Sequence, residues 1–86
     1  MKRTEARQAV YSLIRQWLGE RTCLDDCSRL QALGLDKGDI EEMLWRLEDR
    51  FDLCVPALEE QRGISTAESV HDLIEWLLEM SRQNED

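Results

Sequence analysis

Cys23, Cys27, Cys54 and His71 are the thiols and the one imidazole through which this chain could hold a soft metal. Cys23 and Cys27 stand four apart, and neither belongs to the paired Cys-x-x-Cys spacing that marks a zinc site. An odd number of cysteines also argues against a disulfide framework, so most of them read as small buried apolar residues. Asp25, Asp26 and Asp36 lack the EF-hand spacing and its closing glutamate, which excludes that type of calcium loop. His71 has no Cys, Ser or Asp at a spacing that would make it a general base. Lys37 could act as an amine nucleophile only with its pKa lowered by burial or a nearby cation. Asp36 and Asp39 beside it act the other way, so it reads as a surface lysine. No coherent catalytic set emerges, and the chain is expected not to be an enzyme and to hold no metal.

Charge is the second source of chemistry. Asp36 to Glu60 contains nine acidic residues, Asp36, Asp39, Glu41, Glu42, Glu48, Asp49, Asp52, Glu59 and Glu60, against three basic ones, Lys37, Arg46 and Arg50. Such runs are usually solvated faces. Here Trp45 stands among the acids, and tryptophan is enriched where binding energy concentrates. Asp36, Asp39, Glu41, Glu42, Trp45, Glu48 and Asp49 therefore form the candidate partner-binding set, for a protein that presents a basic patch.

The net charge of −8 disfavours nucleic acid, and Trp17, Trp45 and Trp76 are too dispersed to form a base-stacking platform. No apolar run approaches the roughly 20 residues of a membrane span. Met1-Lys2-Arg3-Thr4-Glu5 leads into a charged amphipathic segment without a signal-peptide core, so a cytoplasmic setting is expected. With 86 residues the chain is read as one domain, 1-86, ordered over about 4-80 with 81-86 frayed, and expected to be a monomer.

The elements that must position these residues are helical. Val10, Leu13, Ile14, Trp17 and Leu18 recur on one helical face, with Thr4 as its expected N-cap and Gly19 at its end. Residues 22–36 have no sustained period and read as a long loop pinned by Leu24, Leu30, Leu33 and Leu35. A second helix is expected over about Lys37 to Phe51, capped by Asp36 or Asp39, with Ile40, Met43, Leu44, Leu47 and Phe51 as its buried stripe. Trp45 lies roughly 140° from Ile40 on that helix, which leaves it partly exposed. Pro56 interrupts the following stretch, and Ala57 to Gln61 reads as one short helical turn closed by Gly63. Ser65 and Glu68 read as a capping box for a last helix whose stripe is Val70, Leu73, Ile74 and Leu77. The fold class is all-α: three main helices, one short helix and a long loop after the first.

Four fragments in this order resemble the acyl carrier protein family over nearly the whole chain. Leu30-Gln31-Ala32-Leu33-Gly34-Leu35-Asp36 looks like the family's loop ending in Leu-Gly-x-Asp. Leu47-Glu48-Asp49-Arg50-Phe51 and then Val55-Pro56 look like its Leu-Glu-x-x-Phe and Ile-Pro. Ile64-Ser65-Thr66 and Val70-His71-Asp72-Leu73-Ile74 look like its closing segment. The resemblance implies a small helical bundle whose second helix docks on basic patches of enzymes of lipid or polyketide metabolism.

In that family an Asp-Ser-Leu tripeptide opens the second helix and its serine carries phosphopantetheine; here the tripeptide reads Asp36-Lys37-Gly38. Lys37 stands at the serine position, and Asp36 to Glu42 contains no serine or threonine. The reading implied is an acyl-carrier-like interaction module without the cofactor, similar to bacterial acyl-carrier-like proteins whose helix junction also lacks the serine. The alternative is a working carrier with its arm or acyl group held at a non-standard site.

Overall fold

The computed structural model describes residues 1–84. Four helices follow one another: α1 (Arg3–Leu18), α2 (Lys37–Arg50), α3 (Ala57–Thr66) and α4 (Val70–Gln83). Ala6, Ala9, Val10, Leu13 and Ile14 of α1 meet Val70, Leu73, Ile74 and Leu77 of α4, and Ile40, Met43, Leu44 and Leu47 of α2 close the core. Val10, Leu13 and Ile14 of α1 and the named residues of α2 and α4 are the stripes expected from the spacing. Trp17 is only half-buried and Leu18, the last residue of α1, is exposed, so the α1 stripe ends one turn earlier than expected and begins at Ala6. The helix α3 is held differently, since Gly63 is its one fully buried residue.

The loop between α1 and α2 is pinned at several points. Leu30 and Leu35 are buried in the core, with Leu24 and Leu33 packed against it. Residues on either side of Arg29 pair with the segment leading into α4: the Leu30 amide donates to Glu68 O (2.9 Å) and the Val70 amide to Ser28 O (2.9 Å). The His71 amide donates to Asp26 O (2.9 Å), and the Asp26 carboxylate accepts from Arg7 Nη2 (2.7 Å) and Tyr11 Oη (2.7 Å). One aspartate thus ties the loop to α1 through its side chain and to α4 through its backbone.

Several boundaries differ from the sequence expectation. The helix α1 begins before Thr4: its N-cap is Lys2, whose amide donates to Glu5 Oε1 (3.3 Å). The helix α3 is not one turn but ten residues long, and it runs through Gly63. Gly63 is there for space, because a β-carbon would stand 2.5 Å from Trp76 Nε1. The capping box of α4 is Ser69 with Asp72, not Ser65 with Glu68. Both pairs have the same spacing, but only Ser69 directly precedes the apolar stripe, and Ser65 lies inside α3.

Phe51 caps the C-terminus of α2 and is half-buried rather than part of the buried stripe. Cys23, Cys27 and Cys54 are all exposed, not core residues, because each falls in a connecting segment. Ser81 is buried, and α4 continues as far as Gln83. Asn84 then fastens this end by accepting from the Cys54 amide (3.0 Å) and donating to Met80 O (2.8 Å). Residues 85 and 86 of the expected tail lie outside the described residues.

Candidate functional site

The start of α2 is the first part of the site. Asp36 Oδ1 accepts from the Asp39 amide (2.8 Å), and Asp39 Oδ2 accepts from the Asp36 amide (3.2 Å). This reciprocal box satisfies backbone donors at the positive end of the helix dipole, where carboxylates are favoured. Both aspartates of the candidate set are therefore engaged in capping.

Lys37 follows at the first helical position, where its cation opposes the α2 dipole. Its amine reaches across to α3 instead, donating to Ile64 O (2.8 Å) and Ser65 O (3.1 Å). A groove of about 580 Å³ opens at this junction, with Leu30, Leu35, Ile40 and Ala67 among its lining residues and Arg29, Lys37 and Glu68 also contributing.

The second part is the outer surface of α2. Trp45 is 52% exposed, and Glu42 and Asp49 are exposed beside it. Glu41, Trp45, Glu48 and Asp49 fall at i, i+4, i+7 and i+8, the spacing that places side chains along one helical face. Glu41 and Glu48 are half-buried. A groove of about 410 Å³ runs between α2 and α3, lined by Glu41, Trp45, Ala57, Glu60, Ile64 and Ser65 among others. Leu58 of α3 is 79% exposed.

The electrostatics between α2 and α3 are uneven. Glu48 Oε2 is buried without a hydrogen-bond partner, and burial, then the nearby Glu60, raises the Glu48 carboxyl above its ordinary range. Glu60 is raised as well, first by burial and then by Glu41. The cations of α2 are committed elsewhere. Arg46 Nη2 pairs with Glu42 (3.2 Å) and its guanidinium lies 5.1 Å from the Trp17 ring centroid, while Arg50 lies over Phe51. No ion pair among the described residues neutralises Glu41, Glu48 or Glu60.

The candidate set thus divides in three. Glu42, Trp45 and Asp49 lie open, Glu41 and Glu48 are half-buried, and Asp36 and Asp39 cap the helix. Glu60 and Ile64, which stand outside the candidate partner-binding set, complete the groove from α3. Glu60 already lies in the helical turn expected from Ala57 to Gln61, whereas Ile64 lies beyond Gly63, where the sequence signals a stop and the helix in fact continues to Thr66. His71 Nε2 lies 3.6 Å from Glu75, and no group of metal-ligating side chains occurs among the described residues. No helix of the described residues is long and apolar enough to cross a membrane.

No family model matches the chain, and a search of curated proteins finds no match. A solved structure is similar along almost the full length: the crystal structure of an acyl carrier protein from Thermotoga maritima, at 22% sequence identity, with a TM-score of 0.77. The likeness covers 99% of this chain and 96% of that one. Lys37 at the start of α2, the acidic outer face of that helix and the three-helix core are therefore built on the all-α fold of an acyl carrier protein.

Proposed function

We propose that this chain is a non-catalytic protein-interaction module on an acyl-carrier fold, one that takes no phosphopantetheine. The observation that carries this reading is Lys37 at the opening of α2. Attachment of the arm there requires a hydroxyl beside the free amides of the helix start. The side chain present is an amine already bonded to Ile64 O and Ser65 O, and Asp36 to Glu42 offers no hydroxyl. The residues do not fit the group, and no step of the proposed function passes through it.

What remains is a surface. Glu42, Trp45 and Asp49, with Glu41 and Glu48 beside them, would dock on a basic patch of a partner. Trp45 supplies apolar area and the carboxylates supply steering and register. Enzymes of lipid or polyketide metabolism are the partner class that the fold suggests, and recruiting or regulating such an enzyme is the proposed role.

Intact mass spectrometry tests the first half. The protein is incubated with coenzyme A and a broad-specificity phosphopantetheinyl transferase, beside protein purified from its own cells. An unchanged mass in both is expected; a gain of one arm would instead establish the working-carrier alternative. Partner capture by wild-type protein and by Trp45→Ala tests the second half. The variant should keep its helicity, and capture should weaken both in it and with added salt. Equal capture by the two proteins would remove Trp45 from the docking face.

A further inference from the structure

We infer that Lys37 is a latch that holds the last turn of α3 on the start of α2 and thereby sets the groove beside Trp45. The last carbonyls of any helix have no partner within it. In α3 the Gly63 carbonyl is taken by the Ala67 amide, which leaves those of Ile64 and Ser65 to be satisfied from outside. Lys37 Nζ meets both.

The match is electrostatic as well as geometric. A cation is favoured at the negative end of a helix, and α3 has no basic residue in its own last turn. Lys37 supplies that charge from another helix, across 27 and 28 positions of sequence. The interaction also offsets the unfavourable placement of a lysine at the first position of α2.

The latch acts where α3 has few other holds. Gly63 is the one residue of α3 that is fully buried, and the C-cap Ala67 has an extended backbone rather than a left-handed glycine stop. Ile64 and Ser65, whose carbonyls Lys37 holds, also line the groove with Glu41, Trp45 and Glu60. The positioning of that wall is therefore fixed from the far end of α2. Lys37 is in this sense a positioning residue. The latch itself is independent of the docking reading, and only its consequence for partner capture rests on that reading.

Amide hydrogen exchange followed by NMR, on the isolated full chain, tests the inference without any partner. Lys37→Met keeps the aliphatic stem and removes the charge and the donors. Exchange of the amides from Ile64 to Ala67 is expected to rise about fivefold or more, with α1 and α4 unchanged. The Trp45 indole resonance is expected to shift in the same spectra. Lys37→Arg, which retains a cationic N–H donor, should return both readouts toward wild type.

A lysine without this role would behave differently. Replacing it would merely relieve the α2 dipole, so a higher melting temperature with unchanged exchange in α3 would overturn the latch. A uniform rise across all four helices would overturn it too. Faster exchange in α3 with an unmoved Trp45 resonance would overturn the link to the groove.

Discussion

A β-carbon on Gly63 would stand 2.5 Å from Nε1 and 2.6 Å from Cδ1 of Trp76. The indole packs onto α3 at a point where only a hydrogen fits, and its N–H donates to Glu59 O (3.4 Å). Backbone and aromatic ring therefore share the contact between α3 and α4. Gly63→Ala is expected to destabilise the protein by about 1–3 kcal/mol through overpacking, in spite of alanine's higher helix propensity. Thermal unfolding checks this; an unchanged or raised midpoint would mean that α3 moves aside at little cost.

Asp26 makes the loop sensitive to acid. Hydrogen bonds from Arg7 and then from Tyr11 hold its carboxyl well below the usual range, at about 2. A depressed carboxylate contributes stability that is fully present above its unfolded value and is lost as pH falls through its folded value. The contribution should therefore fade from about pH 4 down to about 2. Asp26→Asn should remove about 1 kcal/mol at neutral pH, a small effect because water reaches the pair. Its unfolding curve should also depend less on pH across that window, and urea melts at pH 2.5 and pH 6 would show the difference.

Glu48 has the opposite sign. Burial and Glu60 raise its carboxyl, so the folded state binds the proton more tightly than the unfolded chain does. The stabilising contribution is present below the unfolded carboxyl value and is lost as pH rises through the raised folded value. Glu48→Gln should therefore raise the melting temperature at pH 7 and reduce the wild-type gain on acidification toward pH 4. If the substitution lowered stability at pH 7, Glu48 would have to be engaged in an interaction that outweighs its burial.

Asp52 adopts a left-handed conformation, with φ 53°, just after α2. The Leu53 amide donates to Glu48 O (2.8 Å) and the Asp52 amide to Asp49 O (3.3 Å), the paired bonds of a Schellman stop. Glycine is the usual residue at such a position, since a side chain there costs about 1 kcal/mol. Asp52→Gly should accordingly raise the melting temperature by about 4–8 °C. A fall would show that the aspartate has a compensating role in the turn.

How much was legible in the sequence follows from the range of each interaction. The apolar stripes of α1, α2 and α4 obey helical periodicity, so the core positions from Val10 to Ile14, from Ile40 to Leu47 and from Val70 to Leu77 could be read directly. A cap at Asp36 or Asp39 and a partly exposed Trp45 came from the same local geometry. Where local signals compete, the sequence alone misleads. Ser65 with Glu68 and Ser69 with Asp72 have identical spacing, and the contact of Arg29 with Ser69 places the second pair at the helix start.

Gly63 and Lys37 mark what only the tertiary structure decided. A glycine near the end of a weak helical pattern reads as a stop, but here it is the point of contact for Trp76, thirteen residues further along the chain. A lysine between two aspartates reads as a solvated cation, but its amine bonds to carbonyls on another helix. The absence of a hydroxyl from Asp36 to Glu42 is a property of the sequence itself. What replaced it was not readable, because hydrogen-bond partners distant along the chain are chosen by packing and leave no period behind.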